Sequence, residues 1–172
     1  RIRYWLTEEG VTILDFPLET GLIAEIVGAL SGPTIALRAD IDALPVKEAT
    51  GLPFASETEG LMHACGHDYH TASMIGAAIL LQGKKASLKG TVRFIFQPAE
   101  EIAQGAKWVE ESGALKEVSA IFGMHNKPDL PVGTIGIREG GLMASADRFE
   151  LEIHGVGGHA GIPDSTIDPI VI

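Results

Sequence analysis

Apolar runs and helix-like segments alternate along the first part of the chain. Three runs rich in β-branched and aromatic residues each end on polar side chains: TIALRADI (34–41), TVRFIFQ (91–97) and SAIFGMH (119–125). Residues 71–82 and 105–112 have the composition of helices. Strands that alternate with helices predict an α/β fold with a largely parallel sheet and helices on both faces.

The pattern changes after residue 131. VGTIGI (132–137) predicts a short strand, and ADRFELEIHG (146–155) alternates apolar and polar residues, as a strand with one face in water does. GVGGHAGIPDS (155–165) is a glycine-rich connection. We therefore predict a domain boundary near Ser145, which divides the chain into residues 1–144 and 145–172.

Polar side chains with metal-binding or acid–base chemistry follow each predicted strand. They are Asp40 and Asp42 after the first strand, Glu100 and Glu101 after the second, and His125 at the end of the third. Ligands of parallel α/β sheets collect beyond the carboxyl ends of the strands. The sequence therefore predicts a site at this edge of the sheet.

The segment LMHACGHDYHT (61–71) holds three of the six histidines and the only cysteine. Its candidate ligands are His63, Cys65, His67, Asp68 and His70. Mixed thiolate, imidazole and carboxylate ligands indicate a transition metal, and their number allows two ions. A structural zinc site usually shows Cys-x-x-Cys pairs, so a single cysteine makes a purely structural finger a poor interpretation.

Each candidate also has an ordinary structural explanation. One carboxylate of the Glu100–Glu101 pair can bind metal while the other acts as a general base, but such pairs also occur at solvated helix starts. Asp40 and Asp42 can cap a turn. His125 can be a hydrogen-bonded core histidine. His63 and His70 either support the ligands or simply begin a helix, and we expect His154 to be exposed.

Composition narrows the class of protein. The chain is 45% hydrophobic and 21% charged, which is globular composition, and its formal net charge of −10 without a basic patch excludes a nucleic-acid surface. One cysteine forms no intrachain disulfide, so we expect a reducing, cytoplasmic location. Because no run of 18 apolar residues occurs, we expect no membrane partner. The chain begins at Arg1, and we expect it to be part of a longer protein.

Five motifs occur in one order: RADIDALP (38–45), MHACGHDYHTA (62–72), FQPAEE (96–101), GMHNKPDLPVG (123–133) and GVGGHAGIPDSTIDPI (155–170). Together they resemble the M20 family of metallopeptidases. Within that family the chain is most similar to the amidohydrolases that cleave N-acyl amino acids, namely hippurate hydrolases, auxin-conjugate hydrolases and N-acetyl amino acid deacetylases.

The resemblance implies a zinc-peptidase-like catalytic domain over residues 1–144, which is incomplete, and the start of an α+β lid domain over residues 145–172. The lid domain would also form a homodimer. The catalytic domain would hold two divalent ions, Zn²⁺ or Mn²⁺, with Co²⁺ and Ni²⁺ left open. Cys65 would bridge the two ions, and the further ligands would be His67, Glu101 and His125.

The resemblance also implies roles for the remaining motif residues. Glu100 would be the general base and then the general acid, and Asp42 would orient a metal ligand or bridging group. Asp40 stands where other branches carry a metal-binding histidine. His159 would reach the partner subunit's active site to stabilise the oxyanion, and Asp164 replaces a histidine that many relatives carry near the substrate.

The implied reaction is hydrolysis of the amide bond of an N-acyl amino acid by a metal-bridged water, with Glu100 as the base. The family's chain is more than twice as long, and its last histidine ligand would lie beyond Ile172. Two alternatives remain open: a cysteine hydrolase that uses Cys65 with a nearby histidine as base, and a metal-binding module without catalysis on the same fold.

Overall fold

A computed structural model describes residues 1–171, which fall into two compact units, Arg1–Ile135 and a second unit that begins at Gly136. The described strands all lie in the first unit: β1 (Thr12–Leu14), β2 (Leu22–Val27), β3 (Leu30–Asp40), β4 (Lys89–Gln97) and β5 (Val118–Gly123). So do the described α-helices, α1 (Ile2–Glu8), α2 (His67–Gln82) and α3 (Gly105–Glu111). The first unit is therefore an α/β domain, as predicted.

The five strands form one mixed sheet in the order β1-β2-β4-β3-β5. β3 pairs in parallel with both β4 and β5, and these are three of the five strands that the sequence predicts. β2 pairs antiparallel with β1 and with β4, and neither β1 nor β2 is predicted. The sheet is less parallel than expected because β2, an apolar run, covers the edge of β4 that β3 leaves open. The parallel part carries the polar strand ends.

Helices cover both faces of the sheet, as predicted. Alternation along β4 sends Phe94 and Phe96 to the face under α1 and α2, and both rings are fully buried there. Ile95 points to the opposite face, where it packs in a cluster with Val109 of α3. Full burial of one such side chain contributes roughly 1.5–3 kcal/mol to stability, so β4 stabilises the apolar core on both faces of the sheet.

Glycines are required at the starts of α2 and α3. α2 begins at His67 because Gly66, at φ 86°, turns the chain in the left-handed region that favours glycine. The helix therefore starts four residues before the predicted Thr71, and its first turn includes the buried His70. At the start of α3, a Cβ on Gly105 would lie 1.5 Å from the carbonyl oxygen of Pro98, so only glycine fits.

The two strands predicted after residue 131 are wrong. Neither VGTIGI nor ADRFELEIHG joins a ladder, and the described part of the second unit contains one isolated bridge, Val156 to Ile167, and a 3₁₀ turn, Pro163–Ser165. A strand needs a neighbour for its N–H and C=O groups, and no described segment pairs with these residues. Alternation alone does not supply that neighbour.

Among residues 1–171, no helix is both long enough and apolar enough to span a membrane.

Candidate metal centre

The ends of the three parallel strands and the start of α2 meet at one place, which we call the carboxyl edge. Three groups of ligand-type side chains gather there, and within each group the ligand atoms lie within 4.8 Å of one another. The groups are Cys65 with His67 and His125, His67 with Glu100 and Glu101, and Asp40 with His67 and His70. The predicted convergence of the strand ends is therefore present in the structure.

His67 belongs to all three groups and is fully buried. Its Nδ1 lies 3.0 Å from the backbone oxygen of Asp42 and 3.2 Å from that residue's carboxylate. Because both oxygens accept, Nδ1 carries the proton of the neutral ring, whose Nε2 then keeps a bare lone pair. That buried Nε2 has no hydrogen-bond partner.

The surroundings of that lone pair are acidic. The carboxylate of Asp40 lies 3.6 Å from Nε2 of His67, and those of Glu100 and Glu101 each lie 3.8 Å away. An unprotonated imidazole nitrogen that faces carboxylates, with its other nitrogen held by an acidic residue, is typical of a metal-ligating histidine. The residues present therefore fit a divalent metal ion.

Cys65 and His125 form the second contact of the centre. The sulfur of Cys65 lies 3.5 Å from Nε2 of His125, whose Nδ1 donates to the backbone oxygen of Asn126 at 2.8 Å. Nε2 of His125 is therefore also unprotonated and is turned toward the thiol. A thiol and two imidazoles in one group favour a transition metal over Mg²⁺ or Ca²⁺.

The thiol of Cys65 is held in its protonated form when no metal is bound. Burial raises the pKa of this thiol, and the negative charges of Glu101, Glu100 and Asp40 raise it further. A thiol with a raised pKa is a poor nucleophile, because the thiolate is the reactive form. A cation at the centre would reverse this preference, since metal binding requires the thiolate.

The two glutamates follow β4 in a constrained loop. The backbone N–H of Glu101 donates to the carboxylate of Asp42 at 3.0 Å, so Asp42 contacts both this loop and His67. Just before the pair, Ala99 has φ 53°, a conformation that costs a residue with a Cβ about 1–3 kcal/mol. The Glu100 side chain is 39% exposed and that of Glu101 is 23% exposed, so Glu100 is the more open to solvent.

Asp40 sits deeper and is only 1% exposed. It hydrogen-bonds Nδ1 of His70 at 2.6 Å and pairs with the guanidinium of Arg38 at 2.7 Å. Burial alone would raise the pKa of this carboxyl, but the hydrogen bond with His70 and the charge of Arg38 bring it below its ordinary value. Asp40 is therefore an ionised anchor and does not simply cap a turn.

His159 and Asp164 belong to the second unit and are exposed there. Within that unit, Nδ1 of His159 accepts the backbone N–H of Gly161 at 3.0 Å. The role of His159 at an active site stays a prediction. His154 is exposed, as expected, and lies 3.5 Å from Glu152.

Three site residues escaped the sequence reasoning: Arg38, Gln97 and Asn126. Arg38 donates to Gln97 at 2.9 Å and to Asp40, and the backbone of Asn126 contacts both His70 and His125. Their positions gave the available signal, because each of the three lies within three residues of a candidate that the pattern singled out.

An α/β domain with this donor set at the carboxyl ends of its parallel strands belongs to the class of metal-centred hydrolase folds. The family model described as Peptidase family M20/M25/M40 matches residues 36–169, which is most of the chain. The chain therefore belongs to the M20 family of peptidases, as the motifs indicate.

Two relatives place the chain within the family. It is 70% identical to N-acetylcysteine deacetylase of Bacillus subtilis strain 168 over 99% of this chain and 45% of that protein. It is 46% identical to IAA-amino acid hydrolase ILR1-like 5 of Arabidopsis thaliana over 96% of this chain and 38% of that protein. The chain thus spans less than half the length of both relatives.

A solved structure matches as well. The crystal structure of the Bacillus subtilis YXEP protein, described as a dinuclear metal binding peptidase from the M20 family, superposes with a TM-score of 0.79 at 70% sequence identity. The match covers 81% of this chain and 39% of that one. The fold assigned from the sheet and helices is therefore that of a known family member.

Proposed function

We propose that this chain forms the metal centre of an amidohydrolase that cleaves N-acyl amino acids into an amino acid and a carboxylic acid. The buried Nε2 of His67 carries this proposal, because it is unpaired and faces three carboxylates. Two relatives, an N-acetylcysteine deacetylase and an IAA-amino acid hydrolase, have names that support N-acyl amino acids as the substrate class.

Two divalent metal ions are the proposed cofactors. Cys65, His67, Glu101 and His125 would hold them, with Cys65 as the bridging ligand. A dinuclear relative at 70% identity supports two ions over one. We propose Zn²⁺ or Mn²⁺, and because mixed thiolate, imidazole and carboxylate donors tolerate several transition metals, Co²⁺ and Ni²⁺ stay open. The ions would supply Lewis acidity, which polarises the substrate carbonyl and lowers the pKa of water.

Glu100 is the proposed general base and acid. Its carboxylate lies 3.8 Å from Nε2 of His67, so it borders the metal positions while its side chain remains partly open to solvent. From there it would take a proton from the attacking water and return it to the departing amine. Asp42 would keep the proton of His67 on Nδ1, which leaves Nε2 free for a metal ion, and would hold the backbone N–H of Glu101 in place.

The second unit supports a separate proposal. Residues 145–172 would begin the lid and dimerisation domain, and residues 1–144 would form the catalytic domain. His159 would donate to the oxyanion in the partner subunit's active site. Support comes from the GGHA motif and from the N–H of Gly161, which donates to Nδ1 and so leaves Nε2 as the donor nitrogen of the neutral ring. A cytoplasmic location is part of the same proposal, because the single cysteine forms no intrachain disulfide.

A cysteine hydrolase is the second candidate, because Cys65 and His125 are in contact. The raised pKa of the thiol argues against it, since a nucleophilic cysteine needs a lowered one. The two candidates differ in their response to chelators and to thiol alkylation.

Metal content of the native-length protein is the test. We expect about two transition-metal ions per chain by mass spectrometry, with amine release from hippurate or N-acetyl amino acids lost on chelation and restored by Mn²⁺ or Zn²⁺. His67→Asn should lose metal, while His154→Asn, at an exposed histidine of the second unit, should keep it. Hydrolysis that survives chelation and stops on alkylation of Cys65 would overturn the metal mechanism in favour of the cysteine hydrolase. Metal binding without hydrolysis of any of these amides would indicate a non-catalytic module.

A further inference from the structure

We propose that His70 is a positioning residue that sets the orientation of His125 through the backbone of Asn126. This inference rests on the proposed function, because His125 matters only if it holds a metal ion. It concerns a histidine that lies one helical turn beyond His67 on α2 and is equally buried. Both histidines lie in the first turn of α2, but Nε2 of His67 has no hydrogen-bond partner whereas Nε2 of His70 has one.

The hydrogen bonds of His70 fix its tautomer. The backbone N–H of Asn126 donates to Nε2 of His70 at 2.9 Å. Because a backbone N–H can only donate, Nε2 is the acceptor and the ring proton of a neutral imidazole is on Nδ1. Nδ1 then donates to the carboxylate of Asp40 at 2.6 Å. Both ring nitrogens of His70 are therefore occupied, so His70 cannot be a metal ligand although its ring lies among the ligand-type groups.

Asn126 passes this constraint to His125. Its N–H is held by His70, and its carbonyl oxygen accepts the Nδ1 proton of His125 at 2.8 Å. That second bond turns Nε2 of His125 toward the sulfur of Cys65, 3.5 Å away. The rings of His70 and His125 also pack edge to face, with centroids 4.7 Å apart. His70 therefore contributes one hydrogen bond and one close ring contact between α2 and the segment after β5, and the ring of His67 adds a longer edge-to-face contact with His125, at 6.2 Å between centroids.

On the side of His70 away from Asn126, buried hydrogen bonds hold Asp40 in place. Asp40 ends β3 and is pinned by Arg38 at 2.7 Å, and Arg38 in turn donates to Gln97 at the end of β4. Asp40 and Gln97 are both buried, so water competes little for these bonds. His70 thus connects two hydrogen-bonded strands to a segment that has no strand or helix of its own.

Close approach of the two segments depends on Gly66. A Cβ at this position would lie 2.7–2.8 Å from the side-chain amide of Asn126. The same glycine has φ 86° and begins α2. The side chain of Asn126 packs against Gly66 because only a hydrogen projects from that glycine, and this packing holds the residue whose N–H donates to His70.

Two substitutions of His70 test its hydrogen bonds with Asp40 and with Asn126 separately. His70→Asn keeps an N–H near the Nδ1 position for Asp40 but has no acceptor for Asn126. His70→Gln places an amide oxygen near the Nε2 position and can keep that acceptor. In the native-length protein, we expect His70→Asn to weaken metal affinity about 10–100-fold, as loss of a residue behind a ligand typically does. We expect the metal affinity of His70→Gln to stay close to that of the parent protein.

The measurement is competition with a chromogenic chelator, using Zn²⁺ as the probe, so that it reports binding without turnover. In a His125→Ala background, His70→Asn should cause no further loss, because its effect passes through His125. An equal further loss in that background would show a general structural role and overturn the inference. Equal affinity of the parent and His70→Asn would overturn it while leaving the proposed function intact. A parent protein that binds no metal would overturn both.

A second measurement does not depend on how the variants fold. Long-range ¹H–¹⁵N correlation spectra of the parent protein report which imidazole nitrogen carries the proton. We expect His70 to be protonated on Nδ1 with an unprotonated Nε2. A proton on Nε2 would leave no acceptor for the N–H of Asn126 and would overturn the inference.

Discussion

β4 and the segment 146–155 are both predicted as strands from their sequences, but their environments are opposite. β4 lies between β2 and β3, and Phe94 is fully buried. In the segment 146–155, Phe149 is 90% exposed and no residue belongs to a ladder. The difference teaches that alternation selects which face of a strand is apolar, whereas the strand itself requires neighbours that satisfy its backbone.

The comparison extends to the chemistry. At the carboxyl edge, neighbouring strands bring together side chains that are far apart in sequence, such as Cys65 and His125. In the second unit, the described contacts of His159 are local and reach only two residues along the chain. A site with several converging groups therefore occurs where the sheet is formed.

Hydrogen exchange should give the largest contrast. In this 172-residue chain, amides of β4 should exchange about 10⁴-fold or more slower than those of residues 147–153, because exchange from a central strand requires opening against about 5 kcal/mol or more. Amide exchange followed by mass spectrometry measures this. Strong protection at residues 147–153 would mean that this segment does find strand partners, and the comparison would fail.

Glu100→Gln tests whether the carboxyl edge supplies the general base for amide hydrolysis. We expect kcat of the native-length protein to fall by about 10²–10⁴-fold, because a neutral amide cannot take the proton. Metal content should stay at the parent value, since Glu100 is not among the proposed ligands. The exposed Glu110→Gln on α3 is a matched control. Normal turnover by Glu100→Gln would remove the general base from the proposed function.

Two phenylalanine truncations compare the regions directly. Phe94→Ala should lower the free energy of unfolding of this chain by about 3–5 kcal/mol, because it leaves a cavity under α2. Phe149→Ala should change it by less than about 0.5 kcal/mol, because that ring is exposed. Denaturant unfolding measures both. A comparable loss for Phe149→Ala would reveal packing in the second unit that its exposure does not show.

The smallest expected effect is at two glycines with positive φ. Gly66→Ala should destabilise the chain by roughly 1–2 kcal/mol, because φ 86° disfavours a Cβ and the Asn126 amide must move. Gly140→Ala has φ 78° but open space, in a segment whose backbone can relax, so we expect a smaller loss. Thermal unfolding ranks the two variants. A larger loss at Gly140 would contradict the description of that segment as weakly held.

Sequence reasoning located β3, β4, β5 and both helices that flank them, because their apolar runs are long and bounded by turn residues. It missed β2, whose run ends in a glycine and carries no polar end that marks a site. It also placed the start of α2 too late, since His67 and His70 read as site residues although they are also the first turn of the helix. Those errors share a cause: local composition does not report which surface a segment packs against.

The sequence by itself determined the donor types, their order at the strand ends and the family. Only the tertiary structure decided what each imidazole can do. Asp42 leaves Nε2 of His67 bare, while the N–H of Asn126 occupies Nε2 of His70, and both partners come from other parts of the chain. A histidine's tautomer is set by its hydrogen-bond partners, and those partners are neighbours only after the sheet has formed.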